Sequence, residues 1–233
     1  MAEKKNLLPI EEPPELAQAR AEMVEKQLKR RYINDPRILE VMGRIPRHIF
    51  VDERMQDAAY RDGPLPIGHE QTISQPYIVA YMTQALQLPR DNSGVVLEVG
   101  TGSGYQAAVL SQLAERVYTI ERIPALAKRA RQCLDLLGID NVEIKVGDGG
   151  YGWPEHAPYD GIIVTAAAPE IPAPLKAQLK DGGRLVIPIG PRWQQELVRL
   201  HRRGDRFIEE ELAPVAFVPL IGEHGWDEYQ FYE

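Results

Sequence analysis

The sequence contains a single cysteine, Cys133, among 233 residues. One cysteine cannot form an intrachain disulfide, and its isolation excludes any metal site built from several cysteines. Chains without disulfides are typical of reducing compartments, so we expect a cytoplasmic protein. Cys133 falls in a predicted helix, where we interpret it as a small core residue rather than a reactive thiol.

Long apolar runs and an excess of positive charge are also missing. No stretch approaches the roughly 18 apolar residues of a membrane span, and the N-terminal segment lacks the apolar centre of a signal peptide. The 27 Lys and Arg residues against 34 Asp and Glu residues give a formal net charge of −7. This charge repels polyanions, so we expect no nucleic acid as a partner, and the lack of an apolar span predicts no membrane association.

Patterns for nucleophilic or metal-dependent catalysis are absent as well. The five histidines are spread along the chain, and none joins a serine and an acidic residue in a recognisable triad pattern. No group of Asp, Glu, His or Cys has the spacing of metal ligands, so we expect no metal.

The chain is long enough for one full domain with an appendage. Residues 1–15 are rich in proline and charge, which predicts a leader that is mobile or lies loosely on the body. Helical periodicity follows over 16–31, and a second helix begins with Asp35 as N-cap and Pro36 in the first turn. Residues 46–75 are loop-like, and a loop of this length is usually functional.

Strands and helices alternate through the middle of the chain. Five runs have the length and composition of strands: VVLEV (95–99), VYTIE (117–121), VEIKV (142–146), YDGIIVT (159–165) and RLVIPI (184–189). Helices are predicted between them at about 105–115, 124–137 and 172–179. This alternation predicts right-handed βαβ units in a doubly wound, mostly parallel sheet of the α/β class. Two further strand-like runs around Arg203-Gly204-Asp205 indicate a hairpin, which would add an antiparallel pair.

The loop after the first of these strands carries the most informative residues. Gly100, Gly102 and Gly104 have G-x-G-x-G spacing, which favours a nucleoside with a short anionic tail over a dinucleotide. Glu121 ends the next strand, where it can accept hydrogen bonds from both ribose hydroxyls. Asp148 follows the third strand and is placed to accept from an exocyclic amine such as that of adenine. A tight turn, a helix cap and an Asx-turn would explain the same residues without a ligand.

Longer motifs around these residues resemble a known family. VLEVGTGSGYQAAVL, VYTIERI, GDGGYGW, APYDGIIVTAAAPEIP and LKDGGRLVIPIG are similar to successive motifs of S-adenosylmethionine-dependent methyltransferases. Within that class, ISQPYIVAYM (73–82), the GDG turn and AFVPL (216–220) resemble the protein-L-isoaspartate O-methyltransferases, over about 16–221. The resemblance implies a seven-stranded Rossmann-like methyltransferase fold with an N-terminal helical segment.

The resemblance also implies a reaction. The family transfers a methyl group from S-adenosyl-L-methionine, leaving S-adenosyl-L-homocysteine, to the free α-carboxylate of L-isoaspartyl residues in damaged proteins and peptides. The methyl ester then closes to a succinimide, whose hydrolysis returns some normal aspartyl peptide. A carboxylate with a pKa of roughly 4 is already ionised at neutral pH, so this reaction needs no strong general base, in agreement with the missing catalytic patterns.

Site residues follow from the resemblance by motif position. It implies that Ser74 is the active-site serine, a hydroxyl donor that orients the substrate carboxylate, and that the backbone at Val218 meets the substrate. Helix capping by Ser74 or Gln75 ahead of Pro76 is the structural alternative, as is a buried edge strand for Val218. The segment Gly68 to Thr72 aligns with the family segment that closes over the cofactor. The implied cofactor residues are Gly68, Glu70, Gln71, Thr72, Glu98, Gly100, Thr101, Gly102, Gly104, Glu121, Arg122, Gly147, Asp148 and Gly149.

We therefore expect a single domain over 16–221. Its parts are a helical and loop lid (16–90), a cofactor-binding core (91–190) and C-terminal strands (191–221), followed by a tail (222–233) that we expect to dock through its aromatic residues. We also expect a monomer.

Three other functions share parts of this pattern. An amine or nucleic-acid N-methyltransferase usually has an acidic or amide residue before Pro-Pro and an aromatic after the fourth strand, where this chain has TAAAPEIP. Alanines at that position also cannot hold the Mg²⁺ of a catechol-type O-methyltransferase. A nicotinamide-dependent oxidoreductase is disfavoured by the glycine spacing. Another O-methyltransferase of the same fold, acting on a small molecule or a protein, stays open as an alternative.

Overall fold

The computed structural model describes residues 7–227, which form a seven-stranded sheet with helices and a separate two-stranded hairpin. The helices are α1 Pro14–Met23, α2 Pro36–Arg44, α3 Pro76–Leu86, α4 Tyr105–Ser111, α5 Pro124–Leu136 and α6 Ala173–Ala177. The strands are β1 Leu65–Gly68, β2 Gln71–Ile73, β3 Val95–Val99, β4 Arg116–Glu121, β5 Val142–Val146, β6 Tyr159–Val164, β7 Leu179–Ile189, β8 Gln195–Arg203 and β9 Arg206–Val215.

The large sheet has the order β5-β4-β3-β6-β7-β8-β9. Strands β3 to β7 pair in parallel, and β8 and β9 are antiparallel. The chain builds outward from β3 to β5, then crosses back to β6 on the other side. A crevice therefore opens beyond the carboxyl end of β3, which is where ligands bind in sheets of this kind. The predicted fold class is confirmed.

Both faces of the sheet are buried because successive strand residues point to opposite sides. Val96 belongs to one hydrophobic cluster, while Leu97 and Val99 belong to another. The first cluster also includes residues of the N-terminal segment, among them Met42 and Phe50. The segment 16–90 thus shares the hydrophobic core of the sheet.

The N-terminal helices differ from the prediction mainly at their ends. Helix α1 begins at Pro14, two residues early, and continues through a π turn (Val24–Leu28) and a 3₁₀ turn (Lys29–Arg31). Helix α2 has the predicted cap, since the Asp35 side chain accepts a hydrogen bond from Arg37 N at 2.9 Å.

Part of the predicted leader is bound to the body. The backbone N–H of Leu8 donates to Leu137 O at 3.0 Å, and the Glu12 carboxylate accepts from the Arg20 guanidinium. Because these partners are distant in sequence, local composition could not predict them. The expectation of a loosely placed leader fails for residues 7–13, and residues 1–6 lie outside the described chain.

The predicted loop 46–75 contains regular structure. Two 3₁₀ turns (Arg47–Phe50 and Glu53–Ala58) lead to the hairpin of β1 and β2, in which Leu65 pairs with Ile73. The turn of this hairpin is left-handed at Gly68, His69 and Glu70, with φ of +90°, +52° and +59°.

The C-terminal elements follow the sequence pattern closely. Strands β8 and β9 are joined by Gly204-Asp205, with Arg203 opposite Arg206, which confirms the predicted hairpin. Beyond β9, Trp226 N donates to Leu220 O at 2.7 Å and closes a turn over 220–226. The remaining aromatic residues of the tail lie outside the described residues. No helix within 7–227 is long and apolar enough to cross a membrane.

Candidate functional site

The loop that follows β3 can be built only with glycine at two of its positions. Gly100 and Gly104 have φ of +96° and +88°, which side chains rarely adopt. A Cβ atom on Gly100 would also collide with Thr165 Oγ1, and one on Gly104 would press on Ala130. The glycines therefore let the loop turn sharply beneath helix α4, with its backbone facing the crevice.

Glu121 ties this loop to the end of β4. Its Oε2 accepts from Gly102 N at 2.8 Å, and its Oε1 accepts from Ile123 N at 2.9 Å. A carboxylate oxygen can accept more than one hydrogen bond, so both oxygens keep the capacity to accept from hydroxyl groups of a ligand. The side chain is 5% exposed, so its orientation is fixed by these two bonds.

A cavity, named here the glycine-loop cavity, opens at these strand ends with about 840 Å³ of empty space including its mouth. Of the residues implied by the sequence, it is lined by Gln71, Thr72, Ser74, Gly100, Thr101, Gly102, Glu121, Arg122, Gly149 and Val218.

A second cavity adjoins the first. This Phe217 cavity, with about 1,020 Å³ of empty space including its mouth, lies between the start of helix α3 and residues 214–218 at the end of β9 and beyond it. Four residues line both cavities: Thr72, Ser74, Thr165 and Val218. The two spaces therefore meet at Ser74.

Ser74 is available for a ligand. The N-cap position of α3 belongs to Gln75 with Pro76 next, and no side chain caps this helix. The capping alternative for Ser74 is therefore wrong. The half-buried Ser74 hydroxyl forms no hydrogen bond to any residue within 7–227.

The hairpin of β1 and β2 covers the glycine loop from above. Gln71 and Thr72 line the glycine-loop cavity, whereas Gly68 and Glu70 form the left-handed turn and are not among its lining residues. The Ile67 side chain reaches to 3.5 Å from the position that a Cβ atom on Gly102 would take. The hairpin therefore limits how much water reaches the loop.

Glu98 lies behind the cavity rather than in its wall. Its side chain is fully buried, and its Oε2 accepts from Thr119 Oγ1 at 2.5 Å. Thr119 in turn is hydrogen-bonded to Thr101, a cavity residue, at 2.7 Å. Burial, together with the negative charge of Glu121, raises the pKa of Glu98 to about 8, although the Thr119 hydroxyl opposes this shift.

Asp148 is held by backbone donors. Its Oδ1 accepts from Gly150 N at 2.8 Å and its Oδ2 accepts from Glu223 N at 2.9 Å. The C-terminal turn is thus fastened to the GDGG turn, where the rings of Tyr151 and His224 also meet edge to face. The structure places Asp148, like Gly104 and Gly147, outside the lining of the cavity, while neighbouring Gly149 lines it.

Sequence reasoning missed several cavity residues. Thr165 donates through Oγ1 to Gly100 O at 2.6 Å and lines both cavities. Its position at the end of a predicted strand was a signal for this role. Tyr105, Gln106 and Ile221 also line the glycine-loop cavity, and only the fold brings Ile221 there.

Within residues 7–227, no group of three or more His, Cys, Asp and Glu side chains could hold a metal ion. The polar side chains that line the two cavities carry hydroxyl, amide and carboxylate groups and the guanidinium of Arg122.

The buried Glu98 carboxyl makes stability depend on pH. A folded-state pKa of about 8, above the unfolded value of roughly 4.3, means that the folded protein binds this proton more tightly. The contribution of Glu98 to stability is complete below about pH 4 and is lost as pH rises toward 8. Gln at this position mimics the neutral form of Glu98. Between pH 5 and 7 the free energy of unfolding of Glu98→Gln should therefore exceed that of wild type by at least about 1 kcal/mol. Urea unfolding across this range measures the difference.

The exposed Glu143 on β5 offers a matched control. Glu143→Gln makes the same substitution at an exposed position, so its stability toward urea should stay close to that of wild type. A constant difference between Glu98→Gln and wild type across the range would show that Glu98 does not hold the extra proton.

Comparisons with known proteins show the family of the chain. A family model described as protein-L-isoaspartate(D-aspartate) O-methyltransferase matches residues 18–225. Among curated relatives, the protein-L-isoaspartate O-methyltransferase of Syntrophotalea carbinolica is 55% identical over 211 residues, 90% of this chain and 96% of that protein. The one from Methanoregula boonei is 54% identical over 209 residues, 89% and 95% of the two chains.

Solved structures show the same similarity. A protein-L-isoaspartate O-methyltransferase superposes with a TM-score of 0.80 at 30% identity, covering 88% of this chain and 67% of the other. A putative one from Plasmodium falciparum, in complex with S-adenosyl-L-homocysteine, gives 0.74 at 27% identity, covering 87% and 98%. The chain belongs to the protein-L-isoaspartate(D-aspartate) O-methyltransferase family.

Proposed function

We propose that the chain transfers a methyl group from S-adenosyl-L-methionine to the free α-carboxylate of L-isoaspartyl residues in damaged proteins and peptides. The observation that carries the proposal is the position of Ser74, whose unpartnered hydroxyl lies where the two cavities meet. One cavity holds the cofactor and the other holds the substrate peptide, so the reacting groups face each other beside Ser74.

The glycine-loop cavity fits the cofactor. The loop has no room for a side chain at Gly100, and Gly100, Thr101 and Gly102 all line the cavity, which suits close approach of a ligand to the backbone. Both Glu121 oxygens can accept further hydrogen bonds, as a ribose diol requires. Thr101 and Gly149 also line this cavity. Glu98 lies behind the lining and is connected to Thr101 by hydrogen bonds through the Thr119 hydroxyl.

The reaction requires no proton transfer or covalent step from the side chains of the site. When bound, S-adenosyl-L-methionine supplies a methyl group on positively charged sulfur, which is already activated for transfer. The substrate carboxylate is ionised at neutral pH, since its unperturbed pKa is roughly 4. The chain has only to align the two groups and remove water from between them.

Ser74 and the hairpin share this task. The Ser74 hydroxyl donates to one carboxylate oxygen and turns the other toward the methyl group. Gln71 and Thr72 on β2 cover the cofactor side and keep water out. The backbone around Val218, which lines both cavities, contacts the substrate from the opposite side. The ester leaves and closes to a succinimide without help from the chain.

The enzyme acts as a monomer in the cytoplasm. A single copy of the chain supplies residues that line both cavities. The single cysteine agrees with a reducing compartment. The net charge of −7 disfavours a nucleic-acid partner.

The reaction is tested by methyl transfer from radiolabelled S-adenosylmethionine to a peptide that contains one L-isoaspartyl residue. The same peptide with normal aspartate is the control. Labelling of the isoaspartyl peptide alone is expected. Equal labelling of both peptides, or of neither, contradicts the proposal.

Replacing Ser74 separates catalysis from cofactor binding. In Ser74→Ala, kcat/KM for the isoaspartyl peptide should fall roughly 10- to 100-fold, because a carboxylate that accepts no hydroxyl hydrogen bond is poorly aligned. The Kd for S-adenosylhomocysteine, measured by calorimetry, should stay within about twofold. Ser93→Ala, at an exposed serine before β3, should change neither quantity. A large loss of cofactor affinity in Ser74→Ala would assign Ser74 to the wrong ligand.

Glu121 should show the opposite behaviour. Glu121→Ala removes two acceptors from the ribose and releases Gly102, so the Kd for S-adenosylhomocysteine should rise roughly tenfold or more. Glu143→Ala on the neighbouring strand is the matched control. An unchanged Kd in Glu121→Ala would refute the ribose assignment.

A further inference from the structure

The residue after Ser74 is held in one orientation by a chain of polar contacts. Gln75 Nε2 donates to Asp62 Oδ1 at 2.6 Å and also approaches Asp62 O at 3.3 Å. A carboxylate can only accept hydrogen bonds, so the amide nitrogen of Gln75 must face Asp62. Its carbonyl oxygen, Oε1, is therefore turned away from Asp62.

Asp62 is itself anchored. Its Oδ2 accepts from Arg31 Nη1 at 2.9 Å, and the Arg31 guanidinium stacks on the Tyr77 ring at 3.5 Å from the ring centroid. Tyr77 lies on α3, and Arg31 ends the 3₁₀ turn Lys29–Arg31. Two separate elements thus fix the carboxylate that orients Gln75.

Gln75 lines the Phe217 cavity next to Ser74. Its Oε1 accepts no hydrogen bond from any residue within 7–227. Two consecutive lining residues of this cavity thus carry a hydroxyl donor and an amide oxygen that is turned away from Asp62.

This pair matches the chemistry that distinguishes isoaspartate from aspartate. In an isoaspartyl residue the free carboxylate and the peptide N–H are attached to the same carbon. In a normal aspartyl residue one methylene separates the carboxylate from that carbon. A hydroxyl that donates to the carboxylate, placed beside a carbonyl that accepts from the N–H, therefore fits the shorter distance between these two groups in an isoaspartyl residue.

We propose that Gln75 is a specificity-determining residue, whose Oε1 accepts the peptide N–H of the isoaspartyl residue while Ser74 donates to its carboxylate. The assignment rests on the function proposed above. It gives Asp62 and Arg31 a positioning role, because they hold the Gln75 amide with its oxygen toward the substrate.

The test uses two L-isoaspartyl peptides of one sequence, with and without a methyl group on the backbone nitrogen of the isoaspartyl residue. Wild type should prefer the unmodified peptide by roughly fivefold or more in kcat/KM, because the modified peptide has no N–H to donate. In Gln75→Leu, which keeps the size but loses the acceptor, the preference should fall to within about twofold. Asp62→Ala, which leaves Gln75 without its anchor, should give an intermediate preference.

Controls separate a loss of recognition from a loss of structure. Gln75→Leu should bind S-adenosylhomocysteine and unfold thermally as wild type does, and Gln18→Ala, at an exposed glutamine on α1, should keep the full preference. A wild-type preference retained in Gln75→Leu, or no preference in wild type, overturns the assignment while the reaction itself stands. If wild type labels neither peptide, the reaction is wrong and the assignment falls with it.

Discussion

The parallel pairing of β3 with its two neighbours is the constraint on which the site depends. The hydrogen-bond ladder continues past the strand ends, since Gly100 N donates to Ile120 O at 2.8 Å and Thr165 N donates to Val99 O at 2.9 Å. These bonds fix where each loop begins relative to the next. The Glu121 carboxylate then holds Gly102, and the Thr165 hydroxyl holds Gly100. Several loops consequently act as one rigid wall, and its shape is set before any ligand arrives.

The N-terminal segment places a buried positive charge, Arg47, next to this wall. Arg47 is fully buried, and its two terminal nitrogens have no hydrogen-bond partner within the described residues. Burial lowers the pKa of Arg47 to about 10, so the guanidinium is still charged at neutral pH. It lies 5.0 Å from the ring centroid of Tyr105, which lines the glycine-loop cavity and packs edge to face on Phe50. The N-terminal segment thus supports the cavity through an aromatic ring, at a cost in desolvation.

The parts of the fold that could be predicted from the sequence are those with local causes. Strand β3 and its glycine loop follow from a β-branched run that ends in G-x-G-x-G, and helix α2 follows from Asp35 and Pro36. The hairpin of β1 and β2 has strands of only four and three residues, with left-handed residues between them. Such short strands carry too few alternating positions to be recognised.

The candidate site shows the same limit. Glu121 sits at a strand end, and its place in the cavity wall was foreseeable from spacing alone. The contact between Asp148 and Glu223 joins residues 75 positions apart, and that between Gln75 and Asp62 joins two loops. Neither contact can be predicted from a periodic sequence pattern. The first depends on how the tail packs against the sheet, and the second depends on how the N-terminal segment packs.

If the Phe217 cavity holds the substrate, as proposed, its neutral lining accounts for the use of a carboxylate substrate by an acidic protein. Its walls contain hydroxyl, amide and apolar groups, and none of the residues within 7–227 that line it is Lys, Arg, Asp or Glu. A cation there would bind the carboxylate tightly, but it would also withdraw electron density from the attacking oxygen and stabilise the ground state. Neutral donors such as Ser74 can orient the carboxylate without that penalty. The net charge of −7 is then carried elsewhere on the surface, and selection of the substrate depends on the geometry of donors and acceptors rather than on electrostatic attraction.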